Sequence, residues 1–191
     1  MRRRLLGLLV ALPIVGVGGW KFVSWDHVAQ DTVRRQDYST SLRSVSQNTN
    51  AFVIRAVDGD TLVVTLDGEA GESHIRLLGM NSPETVDPRK PVECFGKEAS
   101  AHIHELVDGK RVRLVADPQA DERDKYNRLL RHVILEDGTD VNAAMVKDGY
   151  AYAYLSFPLN PQRRREIKKF EQEARSGQRG LWNPATCNGN K

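Results

Sequence analysis

Between Val57 and Thr85 the chain sets Asp58, Asp60, Arg76, Asn81, Ser82 and Glu84 on or beside short apolar runs. Charge carried on apolar strands is costly to bury unless it converges on a partner. Grouped acidic and amide oxygens suit a hard cation such as calcium. A guanidinium among them suits a phosphate, whose oxygens match its fork of donors. The stretch therefore points to a cation held beside a phosphate. Asp58 is the exception, since a carboxylate at the start of Asp58-Gly59-Asp60 is well placed to cap the turn itself.

The surrounding pattern shows which elements must hold these groups. Phe52–Val57 and Thr61–Leu66 are rich in β-branched residues and read as strands, with Asp58-Gly59-Asp60 as the tight turn between them. Asp67-Gly68 ends the second run, and Ser73–Leu78 is a third strand, so the three suggest a meander. A loop with Pro83, Pro88, Pro91, Arg89 and Lys90 follows. A helix is expected over 93–107, its apolar face formed by Ala99, Ile103, Leu106 and Val107. Lys110–Val115 alternates as a half-buried strand, and Leu129–Leu135 is another. Asp140 is a fitting N-cap for a helix through Lys147, and Gly149 closes it. The last helix spans 162–176 with Ile167, Phe170 and Ala174 inward, and its Gln162–Arg165 start reads as a solvated charged turn. Five short strands and three helices fit an α+β, mainly β fold: a five-stranded Greek-key barrel of the OB type.

The 191 residues suffice for one domain with extensions. The net charge of +3 invites a nucleic-acid reading, but its distribution does not carry one. Residues 1–50 hold seven Lys or Arg against three Asp or Glu, whereas residues 51–182 hold 20 against 22. The basic excess lies in the amino-terminal extension, so a nucleic-acid role for the domain must rest on placed residues. Arg2-Arg3-Arg4 followed by the apolar run Leu5–Val23 reads as a hydrophobic helix over 1–23, a signal anchor, with a cleaved signal peptide as the alternative. Basic residues before the span put the domain on the extracytoplasmic side of the cell membrane as a single-pass protein; after cleavage it would be secreted. Residues 24–50 read as a polar juxtamembrane linker, 51–182 as the folded domain and 183–191 as a C-terminal tail. Cys94 and Cys187 could pair there and pin the tail to the domain, or remain as two thiols. His102 and His104, two apart on a helix, cannot share one face as zinc ligands.

Four blocks in order carry a resemblance: Asp58-Gly59-Asp60-Thr61; Arg76-Leu77-Leu78 leading to Pro83-Glu84-Thr85; Asp124-Lys125-Tyr126-x-Arg128; and Val141-Asn142 leading to Gly149-Tyr150-Ala151. Gly96-x-Glu98-Ala99 and Gly180-Leu181-Trp182 agree with them. Over residues 52–182 the chain resembles the thermonuclease family, the staphylococcal-nuclease-like domains, whose fold is an OB barrel with three helices. The resemblance implies a calcium-dependent nuclease that hydrolyses DNA and RNA, single-stranded or frayed, with little sequence preference and leaves 3′-phosphate ends.

By that resemblance Asp60 is the principal Ca²⁺ ligand, Asn81 and the Ser82 carbonyl complete the protein's share, and Glu84 is the general base. Arg76 and Arg128 take the phosphate oxygens. Lys90, Lys125 and Tyr126 line the nucleotide pocket. Asn81 departs from the family's usual aspartate and Ser82 from its usual threonine. Where the family has two pocket tyrosines this chain has Leu155 and Phe157, with Tyr154 adjacent. A monomer is expected. A second reading, a non-catalytic OB module that binds nucleic acid or protein, draws on Asn81 and is opposed by the retained quartet Asp60, Arg76, Glu84 and Arg128.

Overall fold

The computed structural model describes residues 49–89 and 91–190. The expected amino-terminal helix, nearly all of the linker, and Lys90 lie outside the described residues. No helix among the described residues is long and apolar enough to cross a membrane.

Five strands close into a barrel in the order β1-β2-β3-β6-β5, with β5 returning to β1. They are β1 (Ala51–Ala56), β2 (Thr61–Leu66), β3 (Ser73–Leu77), β5 (Arg111–Val115) and β6 (Leu129–Leu135). β1, β2 and β3 form the expected antiparallel meander. β3 and β6 run parallel, which strand patterns alone do not reveal. The register of β1 on β2 slips between Val53 and Arg55. The bulge there turns two successive side chains, Ile54 and Arg55, outward and sharpens the bend a small barrel needs. A two-stranded ribbon of β4 (Met80–Asn81) and β7 (Tyr152–Ala153) lies outside the barrel. Its β4 strand carries one residue of the site.

Alternation along the strands delivers Val53, Leu62, Val64, Ile75, Leu77, Val112 and Val133 to a single core. Helices α1 (Gly96–Val107), α2 (Val141–Lys147) and α3 (Pro161–Ser176) cover it with Ala99, Ile103, Met145 and Ile167. Asn142 is buried on α2 and satisfied throughout. Its Oδ1 accepts from the Val133 N–H at 2.9 Å, and its Nδ2 donates to the carbonyls of Leu78 (2.9 Å) and Arg131 (3.1 Å). It thus ties the chain leaving β3 to β6 where their ladder ends. Asn50, assigned to the linker in the sequence, exchanges side-chain hydrogen bonds with the backbone of Leu114 on β5.

Two expectations change. α1 begins at Gly96 rather than near residue 93, because Phe95 takes a left-handed backbone (φ 65°) and breaks the helical run. A Cβ on Gly96 would lie 2.6 Å from Thr85 Cγ2, so the first residue of α1 is pressed against the loop that carries Glu84. The start of α3 is not a solvated charged turn throughout. Asn160 caps it through the N–H of Gln162, Pro161 occupies the first turn, and Arg163 is only 2% exposed, 2.7 Å from Asp140. Arg163 is a tie between α3 and the N-cap of α2, since Asp140 also accepts from the Ala143 N–H. An apolar contact could not hold two caps at once.

Cys94 and Cys187 form a disulfide with Cα atoms 5.9 Å apart. It closes a loop of 93 residues. In the chain-entropy picture a loop of that size is worth about 4–5 kcal/mol. The tail is further held by Trp182, which packs with Ala174 and Leu181 and lies edge-on to Tyr152.

Candidate active site

A cleft of about 1120 Å³ opens at one end of the barrel, lined by the β1–β2 turn, β3 and β4, the loop after β4, and the loop before β6. Asp60, Arg76, Asn81, Ser82, Glu84, Lys125, Tyr126, Arg128, Tyr154 and Phe157 all line it. The described residues read from the sequence as catalytic, metal-binding or nucleotide-binding therefore line one cleft, while Cys94 and Cys187 lie outside its lining.

Asp60 stands at the start of β2 because Asp58 caps the turn: Asp58 Oδ1 accepts the Asp60 N–H at 2.9 Å. Gly59 is required between them, since a Cβ there would lie 2.4 Å from Ser82 Cβ. That close approach lets Asp60 Oδ2 accept the Ser82 N–H at 3.3 Å. Its Oδ1 accepts the Thr61 hydroxyl at 3.1 Å. Burial pushes the Asp60 carboxyl up to about 6 against the pull of Arg76, and Asp58 adds to the rise.

Arg76 is 4% exposed, and acceptors on both of its Nη atoms balance its burial. Nη2 pairs with Asp60 Oδ2 at 3.1 Å and donates to Asn81 Oδ1 at 3.0 Å. Nη1 donates to the carbonyls of Leu77 and Met80. The guanidinium carbon lies 5.7 Å from the Tyr154 ring and 5.9 Å from the Phe157 ring. Leu155, between those two aromatics, packs instead with Leu78, Leu130 and Leu159. Of the positions where two pocket tyrosines are usual, only Phe157 faces the cleft, with Tyr154 edge-on to it at 5.6 Å.

In the loop before β6 Asp124 organises a tight turn by accepting the N–H groups of Tyr126 (2.9 Å) and Arg128 (3.0 Å) on Oδ1. Its Oδ2 holds Arg128 Nε at 2.8 Å. Burial would raise the Asp124 carboxyl, but these N–H groups and the guanidinium outweigh it and keep it below its ordinary value. Arg128 Nη1 also donates to Thr61 Oγ1 at 2.9 Å, so the two arginines are linked through Thr61 and Asp60. Tyr126 is 68% exposed at the lip, with Lys125 and Arg128 over its ring. Asp124 was visible as part of a block but had no role assigned in the sequence. Its i, i+4 spacing to Arg128 and its position two before Tyr126 were the available signal.

Glu84 Oε1 accepts the N–H groups of Thr85 (2.8 Å), Val86 (2.8 Å) and Asp87 (3.1 Å). Burial would raise this carboxyl, yet the three donors outweigh it and hold it below its ordinary value. Glu84 is thus an ionised carboxylate at neutral pH. All three bonds fall on one oxygen, so Oε2 is the oxygen suited to engage a water.

The oxygens of Asp60, Asn81 and Ser82 are hard donors, but only one is charged. Asn81 Oδ1 faces Arg76, and Asn81 Nδ2 donates to the Ser82 carbonyl at 3.1 Å. Among the described residues no three His, Cys, Asp or Glu stand together as a metal cluster. The donor set fits a hard cation such as Ca²⁺ that takes its remaining ligands from water or substrate; it does not fit a soft or tightly caged metal.

Residues 74–184 match the family model described as staphylococcal nuclease homologue. The chain belongs to the staphylococcal nuclease family. It is 36% identical over 144 residues to the thermonuclease of Staphylococcus intermedius, covering 75% of this chain and 80% of that one. It is 36% identical over 131 residues to the thermonuclease of Staphylococcus hyicus, covering 68% and 73%. It is 31% identical over 164 residues to endonuclease YncB of Bacillus subtilis (strain 168), covering 82% and 76%. The Cys94–Cys187 bridge, the buried Arg163 and the Tyr154–Phe157 pair are therefore features of a family member, set on the family's barrel.

Proposed function

We propose that this protein is a calcium-dependent nuclease that hydrolyses phosphodiester bonds of DNA and RNA with little sequence preference, breaking the bond to the 5′ oxygen and leaving 3′-phosphate ends. The hydrolytic nuclease activity rests on family membership. The finer reading is supported above all by the convergence of Asp60, Arg76, Glu84 and Arg128 on one cleft that also presents aromatic faces.

Asp60, Asn81 and the Ser82 carbonyl would hold the Ca²⁺, which when bound supplies positive charge beside the phosphate and acidifies a water. Arg76 and Arg128 line the same cleft and can each bind non-bridging oxygens, Arg76 by exchanging one of its present acceptors for the phosphate. They are fixed before substrate arrives, by Asp60 and the β3–β4 carbonyls in one case and by Asp124 in the other, so little reorganisation accompanies the build-up of charge on those oxygens. Glu84, with Oε1 tied to three N–H groups, orients a water through Oε2 and accepts its proton as phosphorus is attacked. Because those donors weaken it as a base, placement of the water is the larger part of its role, and a water is effective only when held in line. Phe157 and Tyr154 stack a base, which every nucleotide offers, and this accords with weak sequence preference. Lys90, Lys125 and Tyr126 contribute charge and surface to the nucleotide.

The Leu5–Val23 run and the Cys94–Cys187 disulfide favour a monomer anchored in the cell membrane by a single span, or released after cleavage, with its domain in an oxidising extracytoplasmic compartment. Asn81 favours a second reading, a binding module without chemistry, because it removes a charge from the cation site. The two separate in one experiment. The purified full chain should degrade single-stranded DNA with Ca²⁺ and stop when EDTA is added; a folded protein that binds DNA but does not cut it at any calcium concentration would leave only the binding module.

A further inference from the structure

The loop carrying Glu84 leaves β4 and returns to α1, and its two ends are fastened to each other at a neck. The Glu93 N–H donates to the Glu84 carbonyl at 2.9 Å, and Glu93 Oε2 accepts the Glu84 N–H at 3.0 Å. Between them, Val86, Asp87, Pro88 and Arg89 make one lip of the cleft. Only the backbone of Glu84 is gripped by Glu93. Its carboxylate is fixed separately by the N–H groups of Thr85, Val86 and Asp87, which lie inside the loop. If the neck opens, the carboxylate keeps these local donors, but the segment that carries it is no longer fixed against the cleft.

Glu93 is in turn held from its C-terminal side. The next residue, Cys94, is exposed and bonded to the buried Cys187 of the tail. Phe95 then leaves the helical region, and the Glu93 carbonyl accepts the Gly96 N–H at 3.0 Å, so Glu93 is held by this turn as well as by the bridge. The tail end of the tether is itself anchored: Gly189 lies against the Trp182 ring, and the Tyr152 hydroxyl donates to the Asn190 carbonyl at 3.1 Å. The run from tail to active-site loop is continuous: Trp182 and Tyr152, Cys187, Cys94, Glu93, Glu84.

We propose that Glu93 is a positioning residue for Glu84, and that the Cys94–Cys187 disulfide holds Glu93 in place, so that the activity of this nuclease depends on the oxidation state of that bridge. The inference rests on the reading that Glu84 orients the attacking water. Reduction by an external dithiol transfers two electrons and two protons to the bridge, leaving two thiols here and one disulfide on the reductant. Neither cysteine lies on a barrel strand, and because loss of the bridge also removes the loop-closure stabilisation given above, the Tm of each reduced form is measured beside its activity. A misplacement of about 1 Å in a water-orienting group is enough to slow chemistry by roughly 100-fold.

The test uses the full chain and reads, beside Tm, two quantities: hydrogen exchange at the Glu84 amide, and kcat and KM on single-stranded DNA at saturating Ca²⁺. Glu93→Ala, Cys94→Ser/Cys187→Ser, and dithiothreitol-treated protein should each speed exchange at Glu84 by about tenfold or more and lower kcat by about 10- to 100-fold, with KM within about threefold. Glu93→Gln keeps an oxygen acceptor and should recover most of kcat and of the protection. Unchanged protection at Glu84 in Glu93→Ala would overturn the neck. Unchanged protection after reduction, or in the double serine variant, would overturn the tether. Faster exchange with undiminished kcat would instead overturn the role of Glu84 on which the inference rests, and Glu93→Gln as slow as Glu93→Ala would show that its charge, not its grip, matters. Should Glu93→Ala fail to fold, dithiothreitol treatment of the wild-type chain still decides the tether.

Discussion

Asn81→Asp tests the placement of the cation most directly. In the structure the amide is engaged at both ends, accepting from Arg76 at 3.0 Å and donating to the Ser82 carbonyl at 3.1 Å. Aspartate preserves the size and strengthens the contact with Arg76, but it replaces the donor to Ser82 by an acceptor. Two oxygens facing each other without a proton between them cost about 1–3 kcal/mol. The new charge also adds to Asp60, whose carboxyl burial already pushes up to about 6. With calcium removed by EDTA, the variant should therefore melt lower than wild type by about 3–8 °C. A divalent ion among the same oxygens reverses the sign of both effects. One unit charge acting on a divalent ion about 4 Å away is worth about 8 kcal/mol at an effective dielectric near 20 and about 2 kcal/mol in water. The cleft is open, so about 2 kcal/mol is the working figure, or roughly a 30-fold lower Kd for Ca²⁺. Titration calorimetry reads the Kd, and the rise in Tm with calcium concentration reads it independently, because ligand stabilisation grows as RT ln(1 + [L]/Kd). A folded variant whose Kd stays within about twofold of wild type would refute the reasoning: Asn81 would not adjoin the ion, and the Asp60–Asn81–Ser82 assignment would fall.

Three further outcomes follow from the same geometry. Burial holds the Asp60 carboxyl at about 6, above its ordinary 3.8, so the calcium-free fold favours the protonated acid. That contribution to stability is fully present below pH 3.8 and is lost as pH rises through 6, while a cation needs the ionised form; apparent calcium affinity should thus fall about tenfold from pH 7 to pH 5, and the dependence should vanish in Asp60→Asn, as calorimetry at the two pH values would show. Arg128→Lys keeps a charge but loses the fork held by Asp124 and Thr61, so kcat should drop by about 100-fold or more in a single-turnover assay, with Asp124→Ala nearly as low and the thermal midpoint of the lysine variant little changed. Phe157→Ala removes a stacking face worth about 1–3 kcal/mol, so KM for single-stranded DNA should rise about 5- to 100-fold while kcat stays within a few-fold, and Phe157→Tyr should restore the KM.

What could be read in the sequence was whatever depends on neighbours along the chain. β-branched runs and Gly turns placed β1, β2 and the turn that presents Asp60, and helical spacing placed Ala99 and Ile103 against the core. Even the disulfide was available as one of two possibilities, since only two cysteines exist. Relations across the fold were not available. Periodicity says which face of a strand is buried, not which strand lies beside it, so the parallel β3–β6 pair that brings Arg76 level with the entry to β6 left no local mark. Polar residues are the harder case. Arg163 looks like any charged residue at the start of an exposed helix until Asp140 is brought to it. Glu93 looks like the first residue of α1 until the left-handed Phe95 frees it to close the loop around Glu84. In both, a charged side chain departs from its local preference because a distant backbone or carboxylate supplies the partner. Such departures are costly to the fold unless something is gained where the chain is constrained. The departure at Glu93 falls on the very loop that carries Glu84, so the late helix start and the grip on the Glu84 backbone come from the same left-handed turn at Phe95.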